Sequence, residues 1–359
     1  MAIEVDILGD GDEVEYEEFL KGVPNALIYA TIKYRNFLKR TLSGSTDLYL
    51  VARDNGAIVG ALPTFLSSKG PWGPLLNSLP FFGSHGGILT AGSAGNEAIE
   101  FALIAGYHNL EECHGVAAST LIESPLCPLS DPAREYLRPS HEDARVGQFT
   151  ALPQCRDRSL IENAILAACH QKTRNAIRKA MKLTLRIEID ASQAALEWLH
   201  REHARGITEL GGVAKPLTVL EELVRNFRQD GGVRIYRAFV DDEPAAALLL
   251  LYFGKTVEYF TPVVTQEHRN TQVLSALVLH SMVDAALNGC DRWNWGGTWL
   301  SQEGVYRFKS RWGATDFPYR YHIRVLSEEI LHVPSLHLRE RYPFFYAFPY
   351  SATKAPPYA

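Results

Sequence analysis

The stretch "VRIYRAFVDDEPAAALLLLYFGKTVEYFTPVV", residues 233–264, reads as three successive strands joined by two turns. "VRIYRAFV" and "TVEYFTPVV" are rich in β-branched and aromatic residues, and "AAALLLLYF" between them is an unbroken apolar run. The polar "DDEP" and the "GK" pair interrupt the runs with turn-forming residues. The apolar run is the longest in the chain, and it is too short to span a bilayer as a helix.

Working outward, "RSLIENAILAACHQKTRNAIRKAMK" (158–182) has helical periodicity and opens with Ser159 and Glu162 at capping-box spacing. "LTLRIEI" (183–189) alternates Leu183, Leu185, Ile187 and Ile189 with polar residues, as a half-buried strand does. "ASQAALEWLHREHARGI" and "LTVLEELVRNFRQ" are two helices, the first running down before Gly211-Gly212 and the second ended by Gly231-Gly232. Beyond the three strands, "TQVLSALVLHSMVDAALNG" is an apolar helix with a glycine stop. "DRWNWGG" is a short strand, "SQEGVYRFKSR" a short helix and "YRYHIRVL" a last strand. The order strand, helix, helix, three strands, helix, strand, helix, strand defines a mixed α/β sheet. It matches the core of the GCN5-related N-acetyltransferase (GNAT) fold.

The first half carries a blurred copy. "DLYLVARDNGAIVGALPTFL" (47–66) is a strand–turn–strand unit whose Asp54-Asn55-Gly56 turn aligns with Asp241-Asp242-Glu243, roughly 187 residues downstream, about one domain length. A helix, "ALIYATIKYRNFLKRTL", precedes it, and "GGIL" and the helix "NEAIEFALIAGYHNL" follow. The expected organisation is two tandem GNAT-like domains of α/β class, the first degenerate. Their limits are 1–152 and 153–329, with the Pro/Asp/Arg-rich "PLSDPAREYLRPSHEDAR" before the joint and an aromatic, proline-broken tail over 330–359 that packs on the body.

Bulk properties narrow the function. With 41 acidic and 36 basic residues the net charge is −5, so no global basic field argues for nucleic acid, and DNA is not expected as a partner. The acidic N-terminus lacks the basic and apolar regions of a secretion signal. Cys113, Cys127, Cys155, Cys169 and Cys290 are odd in number and widely spaced, without a CxxC. A reducing cytoplasm and a monomer without a transmembrane segment are the expectations.

Local features carry the chemistry. "KTRNAIRKAMK" holds Lys172, Arg174, Arg178, Lys179 and Lys182 with no acid, within roughly 160° of arc on a helical wheel. Ala176, Ile177, Ala180 and Met181 take the other side. A one-signed face is either a phosphate-binding surface or a solvated face. "GVYRFKSRWG" (304–313) places one lysine, two arginines and three aromatics between two glycines. His200 and His203 stand three apart on a helix without a further His/Glu pattern, so no metal site is expected. Cys113-His114 and Cys169-His170 are sequence neighbours that point different ways and make no nucleophile–base pair.

Four stretches taken together resemble the FemAB/FemX-like family of tandem acyltransferase-fold proteins. They are "GPLLNSLPFFGSHGGIL", "KTRNAIRKAMK", "EYFTPVVTQEHRNTQVLSAL" and "WNWGGTW…GVYRFKSRWG". The resemblance implies formation of an amide bond, with an amino acid moved from aminoacyl-tRNA to the amine of a small acceptor, a cell-wall precursor or a natural-product or peptide intermediate. It implies no tightly bound cofactor. The alternative donor is acyl-CoA or an acyl carrier protein thioester in polysaccharide or natural-product biosynthesis. A binding protein that keeps the fold without catalysis is the alternative of another class.

The family's G-x-x-x-F-K motif is intact as Gly304…Phe308-Lys309. It implies that Lys309 either stabilises the oxyanion of the tetrahedral intermediate or holds phosphates of the donor. Arg174 and Arg178 are implied anion contacts. Asn270 sits where coenzyme-A-dependent relatives carry a glycine-rich turn at a helix N-terminus, but "HRNT" has no glycine, which disfavours acetyl-CoA in the second domain. Glu258 and Tyr259 are adjacent on a strand bordering the fold's splayed cleft, and Glu258 is a candidate acceptor of the amine proton. His85 and Asn77, near flexible glycines, are read as part of a substrate loop. Tyr306 and Asn294 complete the expected substrate-binding set, in a cleft between the domains lined by "GSHGG" and the basic helix.

Overall fold

The computed structural model describes residues 3–68, 70–91, 97–209 and 214–348; Gly211-Gly212 and the end of the tail lie outside them. The chain begins with β1 (Glu4–Ile7), α1 (Glu13–Lys21), α2 (Ile32–Thr41), β2 (Thr46–Asp47), β3 (Leu50–Asp54), β4 (Ala57–Leu62) and β5 (Thr64–Leu66). It continues through β6 (Leu75–Ser78), β7 (Leu89–Thr90), α3 (Glu97–His114), β8 (Ala118–Ile122) and α4 (Asp131–Leu137) to a long strand, β9 (His141–Ala151). Next come α5 (Arg158–Ala168), α6 (Gln171–Ala180), β10 (Leu185–Ile189), α7 (Gln193–Glu209) and α8 (Leu217–Phe227). β11 (Val233–Val240), β12 (Glu243–Phe253), β13 (Thr256–Val264), α9 (Val273–Leu287), β14 (Arg292–Trp299) and α10 (Glu303–Ser310) follow. A second long strand, β15 (Thr315–Val325), and α11 (Ser335–Arg341) come last.

The chain forms two compact units, Met1–Val146 with Phe317–Ala359, and Gly147–Asp316. The expected limits differ from these at both joints: 147–152 go with the second unit and 317–329 with the first. The chain changes unit inside β9 and β15 rather than in a linker. The polar stretch at 128–145 is structured too. Ser130 caps α4 by accepting from the Ala133 amide, and His141 already starts β9.

In the second unit β10, β11, β12, β13 and β14 are neighbours in that order, and β9 lies beside β14. The run "AAALLLL" is apolar at every position because β12 is covered on both faces. Ala246, Leu248 and Leu250 join the core cluster around α9, while Ala247, Leu249 and Leu251 are equally buried on the face that carries α7 and α8. Helix α9 is apolar nearly all round and is buried accordingly.

The basic helix departs from its expected form. The segment 158–182 is two helices, broken where Cys169 and His170 turn extended. Asp157, not Ser159, caps α5: its carboxylate accepts from the Leu160 amide at 3.0 Å. A carboxylate suits the positive end of a helix better than a hydroxyl. His170 caps α6 through Nδ1, which accepts from the Lys172 amide at 3.2 Å. Met181, assigned to the apolar side, and Lys182 both lie beyond the end of α6 and are exposed.

The first unit has two sheets, one ordered β1-β3-β4-β7 and the other β15-β8-β6-β5-β2. The expected hairpin over 47–66 is shared between them, because Pro63 breaks the outgoing arm and its partner arm bends at Leu48-Tyr49. The turn supports an internal repeat and shifts its alignment. Asn55 and Gly56 both have positive φ (49° and 83°), as do Asp241 and Asp242 (50° and 66°), the pattern of a two-residue hairpin turn. Each hairpin then carries a bulge at the same place: Val59 is left unpaired in β4 and Ala245 in β12. Asn55 thus matches Asp241 and Ala52 matches Ala238, one residue off the alignment read from the sequence.

Of the aromatic tail, Tyr342, Phe345 and Phe348 are buried. The Tyr342 hydroxyl donates to the Gly73 carbonyl at 2.6 Å, and Phe345 packs edge-to-face on Phe81 at 4.8 Å between centroids.

The cap assignment makes a prediction. Asp157→Ala should lower stability by about 1 kcal/mol in denaturant titration, whereas Ser159→Ala should change it by well under half of that.

Candidate active site

β13 and β14 run parallel, and their paired register covers only Thr256–Arg292, Val257–Trp293 and Glu258–Asn294. Both strands continue, β13 to Val264 and β14 to Trp299, so among the described residues the sheet forks after Glu258. The fork opens where the ladder hydrogen bonds stop, and its backbone groups need other partners. A buried polar group supplies them.

Asn294 is fully buried and donates from Nδ2 to Glu258 Oε1 at 2.5 Å, while its Oδ1 accepts from the Gly296 amide at 2.8 Å. Gly296 has φ 76°, a conformation that a side chain disfavours. Beyond this bend, the Gly296 and Gly297 carbonyls and the Thr298 hydroxyl face Lys309 of α10. The Lys309 ammonium donates to them at 3.3, 3.2 and 2.7 Å. Three donors meet three acceptors, so the ammonium is fully engaged.

Helix α10 is held by aromatic packing. Phe308 stands edge-on to Trp295, with centroids 5.9 Å apart, and Trp295 packs on Trp312 and Tyr259 at 5.7 and 4.9 Å. Trp295 also donates from Nε1 to Thr150 Oγ1 at 2.9 Å. Phe308 and Lys309 are about 100° apart on the helix, so anchoring the ring in this stack turns the lysine into the fork. Burial pulls the Lys309 ammonium down to about 8, against a smaller upward pull from Glu258. Only 5 % of Lys309 is exposed.

Adjacent residues of β13 therefore part company. Glu258 turns to Asn294 and the lysine, whereas Tyr259 packs with Trp293 and Trp295 in the apolar cluster. Burial raises the Tyr259 phenol. Of the expected site residues, the fold brings together Lys309, Glu258 and Asn294. Thr298 and the Gly296 and Gly297 carbonyls belong with them and are absent from the set expected from the sequence. The aromatic–glycine alternation of "WNWGGTW" was the available signal.

The others lie elsewhere. Tyr306 is 38 % exposed and donates to Asp316 Oδ2 at 2.6 Å. Arg174 is spent on the end of α5: its guanidinium donates to the Cys169 and Leu166 carbonyls and, at 2.6 Å, to Gln171 Oε1. It satisfies carbonyls that the helix leaves open. Arg178 and Lys172 are exposed on α6. Lys179, also exposed, donates to the Asn270 carbonyl at 2.7 Å. The same loop ends in Gln272, a non-glycine residue with φ 66° at the start of α9.

In the first unit Asn77 is buried and donates to the Tyr346 carbonyl at 3.1 Å. His85 is buried beside a cavity of about 20 Å³, room for about one water. The glycines around it serve close packing rather than loop flexibility. A Cβ on Gly83 would stand 2.2 Å from the Tyr29 ring, and one on Gly86 2.1 Å from the Leu79 carbonyl oxygen.

The buried lysine links to pH. Its folded pKa lies below its value in the unfolded chain, so between about 8 and 10.5 the unfolded state binds more protons and stability rises with pH. Lys309→Met should remove this contribution. The stability gained from pH 8 to 10, read from urea midpoints, should be smaller in the variant than in the wild type by about 2 kcal/mol.

Residues 167–310, which contain Glu258, Asn294 and Lys309, match the acetyltransferase (GNAT) domain family. No curated protein sequence gives a significant match. Among solved structures, FemX is similar at 14% identity and a TM-score of 0.67, over 89% of this chain and 97% of that one. A tandem GNAT protein from the clavulanic acid biosynthesis pathway is similar at 14% identity and a TM-score of 0.54, over 90% and 98%. L-PGS from Bacillus licheniformis is similar at 10% identity and a TM-score of 0.53, over 90% and 95%. At these identities the likeness is one of fold. The chain thus has the FemX-like tandem GNAT fold, and the GNAT domain within residues 167–310 marks it as an acyltransferase.

Proposed function

We propose that the protein forms amide bonds by moving an aminoacyl group from aminoacyl-tRNA to the amine of a small acceptor. The observation that carries this reading is the buried Lys309 ammonium at the fork, beside the Glu258–Asn294 pair. In the reaction the amine nitrogen attacks the ester carbonyl, the carbon–oxygen bond to the tRNA ribose breaks, and the amine proton ends on the departing alkoxide. Lys309 exchanges one of its longer bonds, to the Gly296 or Gly297 carbonyl, for the oxyanion of the tetrahedral intermediate and supplies positive charge to it. Glu258 accepts the proton that the acceptor must lose to become nucleophilic. With 5 % exposure, Lys309 suits contact with one reacting atom better than contact with a nucleic-acid backbone.

The exposed Lys172, Arg178 and Lys179 on α6 suit the phosphates of the donor. Arg174 is left out of that role by its bonds to α5. An acyl-CoA or acyl carrier protein donor is the second reading, supported by the acetyltransferase family match. Against it, Gln272 holds a left-handed conformation at the start of α9 without the glycine that close approach to a pyrophosphate favours.

Charged tRNA and a panel of acyl-CoA donors, each supplied with candidate amines and followed by mass spectrometry, separate these readings. Product that RNase abolishes supports the first, and product from acyl-CoA alone replaces it with the second. Lys309→Ala should cut turnover by about 10²–10³-fold with folding kept, as loss of an oxyanion donor does. Full turnover in that variant removes Lys309 from the chemistry. Binding of both substrates without turnover in the wild type points to a non-catalytic binding protein. Arg178→Ala should weaken tRNA binding and reduce its salt slope by about 1, while Arg174→Ala should act on stability instead.

A further inference from the structure

A second group of unspent polar side chains lies on the α7 side of β13. Phe260 is the extra residue of a bulge in β13, because Leu249 pairs with Thr261 and Leu250 with Tyr259. The Lys215 ammonium stands 4.8 Å from the centre of the Phe260 ring. His200, on α7, donates from Nε2 to the Lys215 carbonyl at 3.1 Å and ties this segment to the helix. His203, one turn further along α7, is buried with Nε2 lacking a hydrogen-bond partner, and the buried Thr261 hydroxyl lacks one as well. Among the described residues no carboxylate pairs with Lys215.

This is a costly arrangement for a protein with no occupant there. A half-buried ammonium without a counter-ion loses hydration that a ring face only partly replaces. Burial alone accounts for the depression of Lys215 to about 8. His203 falls to about 4, by burial first and then by the positive charge of Lys215 and His200. The neighbourhood is thus positive, holds unused hydrogen-bonding capacity and remains part-exposed. Glu258 and Thr261 pair with Leu251 and Leu249, two residues apart on β12, which along a strand is about 7 Å.

We infer that Lys215, with His203 and Thr261, forms a subsite for an oxyanion, the carboxylate or phosphate of one of the two substrates, on the strand that carries Glu258. The subsite requires no turnover to be detected, so it stands or falls separately from the role of Lys309. Only the assignment of its anion to a substrate rests on the acyl-transfer reading.

The test is thermal unfolding of the full chain with sodium phosphate or sodium acetate, at ionic strength held constant with chloride. An anion held at Lys215 should raise the midpoint by about 2–4 °C near tenfold saturation. The rise should be at least halved in Lys215→Met, which keeps the apolar stem, and kept in Lys215→Arg and in the exposed control Lys255→Met. A response to phosphate alone marks a phosphate-bearing substrate, and a response to acetate alone a carboxylate-bearing one. An equal rise in wild type and Lys215→Met, or no rise with either anion, overturns the inference.

Discussion

An ammonium group is held inside a protein only where acceptors surround it, and Lys309 finds them in the backbone of a strand that has left its neighbour. Had β14 continued in regular pairing past Asn294, the carbonyls of Gly296 and Gly297 would point to opposite sides of the strand, one of them into the ladder with β13, and could not both reach the lysine. Because the sheet forks there, these carbonyls and Thr298 are available to the lysine. The Asn294 side chain bridges the last paired residue, Glu258, and the amide of Gly296. One side chain therefore both marks the end of pairing and shapes the bend. The apolar side of the same strands, Trp293 and Trp295 with Tyr259, Phe308 and Trp312, fixes the helix from which the lysine reaches.

A common plan shows in the two hairpins. A two-residue turn with both φ values positive, followed by a bulge at the same step, recurs in β3–β4 and β11–β12 although little of the sequence matches. Bulge and turn are set by backbone requirements that several residue pairs meet, Asn-Gly in one copy and Asp-Asp in the other. In the first unit the hairpin arms are divided between two sheets by Pro63. In the second they run unbroken into the forked sheet.

Much of this was legible in order and pattern. The three strands of 233–264, the apolar helix after them, "WNWGG" and the short helix carrying Lys309 form close to where turn residues and periodicity place them. Roles that depend on an unexpected turn of the backbone or on a partner distant in sequence were not legible. Arg174 sits on the same basic arc as Arg178, yet it closes α5, because the unexpected break at Cys169-His170 leaves open carbonyls within its reach. His85 looks like a loop histidine beside glycines, and the glycines are there to let Tyr29 and the Leu79 carbonyl approach. Lys215 and His203 are not recognisable as a pair in the sequence, because eleven intervening residues hide that the chain returns to α7.

By itself, the sequence determined the class of fold, the succession of elements in the second unit, the repeated hairpin and the motif that carries Lys309. These follow from local propensity and from the periods of strand and helix. The tertiary structure alone decided that Glu258 faces the lysine while Tyr259 faces the tryptophans, that the sheet forks after Asn294, and that the chain changes unit within β9 and β15. Alternation along a strand says that neighbours point to opposite faces, but the side each takes depends on register. Register belongs to pairs of strands, and here a bulge at Phe260 shifts it by one residue.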